Sequence, residues 1–315
     1  MIKDLISIKD LTLKEIEEIF NLTDQLKKDK AKFSKALTGK TLALIFQKPS
    51  NRTRVSFEVG MYQLGGNCMY LAPQEINLGV RESIEDVAKT LSRYVDGIVI
   101  RTFEHKNVLE MTKYATIPII NGLSDFEHPC QALADIYTIR EKFSRPSGIP
   151  QKAGKKLKGI ILAYVGDGNN VCNSLLYASA KTGLDMRAAT PKEYGPNKSV
   201  LKESMALAKS KNASISLFHD SALAVRGADV IYTDVWASMG QEKEAAKRKK
   251  IFRKFQVNSK LLKLAKKGAL IMHCLPAHRG EEITNEVIDG PNSIVFDQAE
   301  NRMHVQKAIL IKLLQ

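Results

Sequence analysis

A chain of 315 residues with 44% hydrophobic residues can bury one large core or two medium ones, which argues against disorder. Its formal net charge of +14 favours anionic ligands and permits contact with nucleic acid, without choosing between them. Cys68, Cys130, Cys172 and Cys274 form no C-x-x-C pair, no apolar run reaches the about 20 residues of a membrane span, and the start Met1-Ile2-Lys3-Asp4-Leu5 lacks a signal-peptide pattern. A soluble, cytoplasmic protein without a disulfide framework or zinc site is expected.

Residues 6–28 carry Leu13, Ile16, Ile19, Phe20 and Leu26 near helical spacing. Thr12 and Glu15 can form a capping box, so an amphipathic helix packed on a first domain is predicted. The apolar run Thr41-Leu42-Ala43-Leu44-Ile45-Phe46 predicts a buried strand, and Val55, Val59 and Tyr62 a following helix. Ser50 is a natural N-cap for that helix. Yet Arg52 and Arg54 occupy its first turn, where the positive end of the dipole favours acidic side chains. An anion held by free N–H groups, the hydroxyls of Ser50 and Thr53 and a guanidinium fork would reconcile this, so residues 50–54 read as a phosphate cradle. Two solvated arginines are the plainer alternative.

A short strand at 68–71, an aperiodic polar loop at 73–81 and a helix at 83–94 follow. The strand 97–101 ends in Arg101, which stands where ligands of open α/β sheets bind and can face the same phosphate or solvent. After a helix at 107–114 come a strand at 118–120 and a turn at Asn121-Gly122. Pro129 suits the first position of a helix, placing His128 at its mouth and Gln131 one turn inside, two neutral donors for a carbonyl oxygen that gathers charge.

Ser50-Asn51-Arg52-Thr53-Arg54, with Arg101 and His128-Pro129-Cys130-Gln131, resembles the carbamoyl phosphate site of the aspartate and ornithine carbamoyltransferases. Asn51 replaces the family's usual threonine; because an amide can still bond phosphate and the backbone N–H survives, altered affinity with function kept is expected, and Asn77, where relatives commonly carry glutamine, is a second modest departure. It also implies that the loop around Asn77 reaches a neighbouring subunit's site, so a homo-oligomer, a trimer or a multiple of trimers, is required for activity.

The Pro/Gly/Ser-rich stretch 144–150 predicts the domain boundary, with a first domain at 1–145 and a second at 146–297. Strands at 159–165, 186–190, 214–218, 229–233 and 269–272 alternate with helices, the pattern of a parallel sheet covered on both faces. Gly166 and Gly168 lack a third glycine and no acidic residue ends the strand 186–190, so NAD binding is discounted. The basic run Lys247-Arg248-Lys249-Lys250 reads as a solvated helix face, not an RNA-binding patch. Asp234, with Ser238 and the backbone beside Gly240, could hold an α-amino acid, and Asp-x-x-x-Ser-Met-Gly resembles the ornithine-binding loop of the ornithine carbamoyltransferases. His273-Cys274-Leu275-Pro276 is a second such match. A metal held by His273, Cys274 and His278 is the weaker reading, because neighbouring ligands on one strand lack a partner cluster. A last strand at 293–296 precedes a helix beginning near Asp297 and carrying Arg302.

The fold expected is α/β, two domains, each a parallel sheet flanked by helices, joined by two crossing helices, with the helix 298–315 packing back on the first domain. The resemblance implies transfer of a carbamoyl group from carbamoyl phosphate to the δ-amine of L-ornithine, giving L-citrulline and phosphate in arginine metabolism. It implies that Ser50, Asn51, Arg52, Thr53, Asn77, Gln131 and Leu275 bind carbamoyl phosphate, that Arg101, His128, Cys274 and Arg302 do so and act in catalysis, and that Asn170, Asp234, Ser238 and Met239 bind ornithine. No cofactor, metal, covalent intermediate, membrane or nucleic acid is expected. Putrescine carbamoyltransferase activity, or a nucleic-acid-binding protein that has kept the scaffold, are the competing readings.

Overall fold

The computed structural model describes residues 2–144, 157–237 and 244–315. The chain divides into two compact units, Met1–Ala134 with Glu300–Gln315, and Asp135–Ala299. Both divisions fall inside helices, Pro129–Ser144 and Val295–Leu314, so two helices carry the chain from one unit to the other. The predicted boundary residues 145–150 lie outside the described residues.

The first unit is built on a parallel sheet of β1 (Thr41–Phe46), β2 (Asn67–Leu71), β3 (Gly97–Arg101) and β4 (Ile119–Leu123), in the order β2-β1-β3-β4, flanked by helices. β3 is buried throughout and β1 nearly so, as apolar runs in a sheet covered on both faces must be. Strand order reverses direction between β1 and β3, and at such a point a crevice opens beyond the carboxyl ends. The helix Leu13–Lys28 carries the predicted capping box, with the Glu15 N–H donating to Thr12 Oγ1 at 3.2 Å and the Thr12 N–H to Glu15 Oε2 at 2.7 Å.

Three local expectations differ from the structure. The predicted turn at Asn121-Gly122 is part of β4. The N-terminal segment pairs there, with the Asn121 N–H donating to the Leu5 carbonyl at 2.8 Å and the Asn121 side chain to the Ile6 carbonyl at 3.0 Å. Pairing jumps from Ile100 opposite Asn121 to Arg101 opposite Leu123, a bulge that absorbs Gly122. The polar loop 73–81 contains a short helix, Pro73–Ile76, closed by Asn77 in the left-handed region at φ 42°. The predicted strand 293–296 makes a single bridge from Ser293 to Ile271, and Val295 and Phe296 already belong to the last helix, where Phe296 is exposed.

The second unit holds β5 (Ile161–Val165), β6 (Asp185–Ala189), β7 (Ile215–Phe218), β8 (Val230–Thr233) and β9 (Leu270–His273), all parallel in the order β7-β6-β5-β8-β9. Its core packs Ala163, Val165, Ile231 and Ile271 against Val225 and Ile283. Here strand order reverses between β5 and β8. Among the described residues no helix is long and apolar enough to cross a membrane.

Gly168 has a packing reason. A Cβ there would lie 2.2 Å from Gly195 C and Pro196 N, so the backbone of residues 195–196 rests directly on the turn after β5. Gly168→Ala should therefore lower stability by about 1–3 kcal/mol, read as a drop in the urea midpoint, because backbone on both sides must move. An unchanged midpoint would show that this contact is not needed.

Candidate active site

At the carboxyl ends of β1 and β3 one hydroxyl organises the first unit. Ser50 caps the helix Asn51–Gln63 by accepting the Thr53 N–H at 3.3 Å, and its own hydroxyl stands 3.1 Å from Thr53 Oγ1. Thr53 Oγ1 also accepts from Arg302 Nη2 at 2.5 Å and Arg101 Nη1 at 3.3 Å. Arg101 reaches that position from beside the β4 bulge and is braced by Nε donating to the Lys48 carbonyl at 3.1 Å. Arg302 Nη2 lies 3.3 Å from His128 Nε2. Because a guanidinium only donates, Nε2 is the acceptor and the imidazole proton sits on Nδ1. The structure thus joins a half-buried Ser50 to the buried Thr53, Arg101, His128 and Arg302 in one chain of contacts.

Burial, then the positive charges of Arg302, Arg101 and Arg52, hold the His128 pKa well below its usual value. At neutral pH it is a neutral imidazole, able to offer a hydrogen bond without a charge. Gln131 is buried in the first turn of the helix Pro129–Ser144, while Asn51 is exposed at the first position of its own helix. Arg54 leaves the predicted cradle: it pairs with Glu58 at 2.8 Å and lies over the Tyr70 ring at 3.9 Å. Asn77 is exposed; Gln47, just before the cradle, reaches the adjacent Leu78 carbonyl at 2.9 Å. Glu127 was missed in the sequence. It is buried and accepts the Ile8 N–H at 3.2 Å and the Ser7 hydroxyl, tying the N-terminal segment to the residue before His128.

In the second unit the carboxylate of Asp234 closes the reversal between β5 and β8. Its Oδ1 accepts the Val235 N–H at 2.8 Å and the Cys274 thiol at 3.0 Å, and its Oδ2 accepts Asn169 Nδ2 at 2.8 Å. Asn170, the first residue of the helix Asn170–Thr182, accepts the Val171 N–H at 3.0 Å. Burial and the Asp234 charge push the Cys274 thiol well above its ordinary pKa, so it is protonated and acts as a donor. Leu275 is left-handed at φ 58° and precedes a cis peptide to Pro276. Ser238 and Met239 lie outside the described residues.

Asp234, His273 and Cys274 each bring a potential ligand atom within 4.8 Å of the others. Their donor chemistry fits a locked turn better than a metal. His273 Nδ1 accepts the Leu275 N–H at 2.8 Å, Nε2 faces Glu282 Oε1 at 3.1 Å, and the Cys274 thiol donates to Asp234 Oδ1 at 3.0 Å.

Residues 3–141 match the family described as aspartate/ornithine carbamoyltransferase, carbamoyl-P binding domain, and residues 158–313 match its Asp/Orn binding domain. The chain belongs to the aspartate/ornithine carbamoyltransferase family. It is 53% identical over 310 residues to the ornithine carbamoyltransferase of Thermococcus kodakarensis, covering 98% of this chain and 95% of the relative. It is 54% identical over 310 residues to the protein of Pyrococcus furiosus named ornithine carbamoyltransferase, anabolic, with the same coverage. A solved structure of ornithine carbamoyltransferase from Pyrococcus furiosus superposes with a TM-score of 0.93 at 53% identity, covering 99% of this chain and 97% of that one.

One residue of this carbamoyltransferase departs from its sequence reading. Arg248, in the run that reads as a solvated face, is buried: its Nη1 donates to Asp167 Oδ2 and to the Trp236 carbonyl, both at 2.9 Å, and its guanidinium lies 4.7 Å from the Tyr194 ring centroid. Burial raises the Asp167 pKa to about 6 against the pull of Arg248. A run of like charges carries no local signal by which one of its four residues could be singled out as turned inward.

The depressed pKa of His128 has a consequence for stability. As pH falls through about 6.5 the unfolded chain takes up a proton that the folded chain refuses, so stability present above that pH is lost below it. The fall in urea midpoint from about pH 7.5 to about pH 5.5 should be smaller in His128→Gln than in the parent. Equal falls would show that His128 titrates normally.

Proposed function

We propose that this carbamoyltransferase joins carbamoyl phosphate and L-ornithine to give L-citrulline and phosphate. The observation that carries the donor half is the contact chain through Thr53, in which Arg101 and Arg302 meet beside a helix N-terminus and a neutral His128. A labile dianion suits that field. The N–H groups opening the helix Asn51–Gln63, with Ser50, Asn51, Arg52 and Thr53, bind the phosphate; Asn77 and Gln131 complete the donor's contacts. Arg101, Arg302 and the Nδ1–H of His128 polarise the carbamoyl oxygen. Backbone carbonyls of Cys274 and Leu275 accept from the carbamoyl NH2.

Asp234, Asn170, Ser238 and Met239 hold the α-ammonium and α-carboxylate of ornithine, which fixes the reach of its side chain. The names of relatives above 50% identity support ornithine as acceptor. The neutral δ-amine attacks the carbamoyl carbon, the C–O bond to phosphate breaks, and the departing phosphate takes up the proton that the nitrogen loses. The protonated Cys274 steadies Asp234 and forms no acyl intermediate. The same reading places the reaction in the cytoplasm, in arginine metabolism.

We also read the chain as a homotrimer subunit. Tyr62 (82% exposed) and Val55 (47%) lie on the cradle helix, and Met69 (47%) on the sheet-edge strand β2, an apolar surface that a second copy would cover.

A colorimetric citrulline assay, run with ornithine and with putrescine, tests the acceptor: citrulline from ornithine is expected, and turnover of putrescine alone would replace this reading. Arg52→Ala should weaken carbamoyl phosphate binding by about 10- to 100-fold in calorimetry, the loss of charge-assisted hydrogen bonds. Undiminished affinity would remove Arg52 from the phosphate site. Asp234→Asn should lower kcat/KM for ornithine by a similar factor of about 10 to 100 while leaving carbamoyl phosphate binding intact, and a rate near that of the parent would refute its role.

A further inference from the structure

Asn169 is not among the residues that the resemblance assigns to either substrate, yet the structure gives its side chain two separate tasks. Its Oδ1 caps the helix Asn170–Thr182, accepting the N–H groups of Val171 at 3.0 Å and Cys172 at 3.1 Å, and stands 3.3 Å from the Tyr164 hydroxyl. An amide oxygen held by donors on that side cannot exchange places with its nitrogen, so the orientation of Asn169 is fixed by the helix itself. Nδ2 is then obliged to point the other way, where it donates to Asp234 Oδ2 at 2.8 Å. The opposite oxygen of that carboxylate is held by the Val235 N–H and the Cys274 thiol. Three donors from three different stretches of chain thus fix the plane of one carboxylate, and Asn169 is the donor whose direction is set by a helix end.

We propose that Asn169 is the positioning residue for Asp234, transmitting the fixed geometry of a helix N-cap to the carboxylate that recognises the acceptor's ammonium. The proposal rests on the reading of Asp234 as the ornithine-binding carboxylate. It implies that the pair Asn169 and Asp234, lying after β5 and β8 on the two sides of the strand-order reversal, acts as one unit in acceptor recognition, with Asn169 touching no substrate.

Capping and positioning are separable by substitution. Aspartate and serine cap helices about as well as asparagine, whereas alanine does not. Asn169→Asp keeps the cap oxygen but turns a second carboxylate toward Asp234; Asn169→Ser keeps a cap oxygen and deletes the donor. The expected result is a melting temperature close to the parent's for Asn169→Ser and somewhat lower for Asn169→Asp, where two carboxylates meet, with KM for ornithine raised at least about tenfold in Asn169→Asp and less in Asn169→Ser, tenfold being about 1.4 kcal/mol. KM for carbamoyl phosphate should stay within about twofold, which a general loosening of the fold would not allow. Asn169→Ala should lose melting temperature as well as ornithine affinity.

An ornithine KM within twofold of the parent in a folded Asn169→Asp enzyme would overturn the proposal, while parent turnover and Asp234→Asn would still report on the function itself. Parallel losses in melting temperature and in both KM values in the capped variants would overturn it too, leaving Asn169 a structural cap. A parent enzyme that makes no citrulline from ornithine would remove the premise and the proposal together.

Discussion

Positive charge gathered at one buried hydroxyl is the constraint on which the first unit depends. Arg101 and Arg302 approach Thr53 from different parts of the chain, and Arg52 adds its field at the same helix end, where the backbone already presents partial positive charge. Like charges repel more strongly where water is scarce, and Arg101 and Arg302 are braced there by a carbonyl, a hydroxyl and an imidazole. The field also decides the state of His128. An imidazolium there would add another cation, whereas a neutral ring can accept from Arg302 and keep a proton to give.

The second unit solves the inverse problem at a reversal of strand order of its own. Beyond a reversal of strand order it holds a carboxylate, fixed by an amide, a backbone N–H and a thiol. The thiol works there as a hydrogen-bond donor because burial and the neighbouring negative charge keep it protonated. Both units therefore gather charged side chains beyond the carboxyl ends of the strands at the reversal, with opposite sign of charge.

Much of this was readable in the sequence, for physical reasons that also explain the gaps. Apolar runs and caps are local signals, so β1, β3 and the capping box of the first long helix were found at or near their observed limits. Asn121-Gly122 has the composition of a turn, but a buried pairing with the N-terminal segment, remote in sequence, overrode it. Val295 and Phe296 look like strand residues, yet Phe296 faces outward and the backbone had already begun the last helix. Arg52 and Arg54 are indistinguishable by type and spacing; Glu58 and Tyr70 draw one of them away. Asn169 had a signal that went unused, since the first of two asparagines before an apolar helix is a natural N-cap.

The bulge in β4 ties the length of that strand to the chemistry beyond it. The extra residue is absorbed just where Arg101 is paired, and the chain then runs through Ser124 and Glu127 into His128. Since side chains alternate from face to face along a strand, a net change of one residue in β4 would carry the connecting segment to the opposite side of the pleat. Evolutionary insertions and deletions should accordingly avoid β4 and collect in connections whose ends anchor no substrate-facing group.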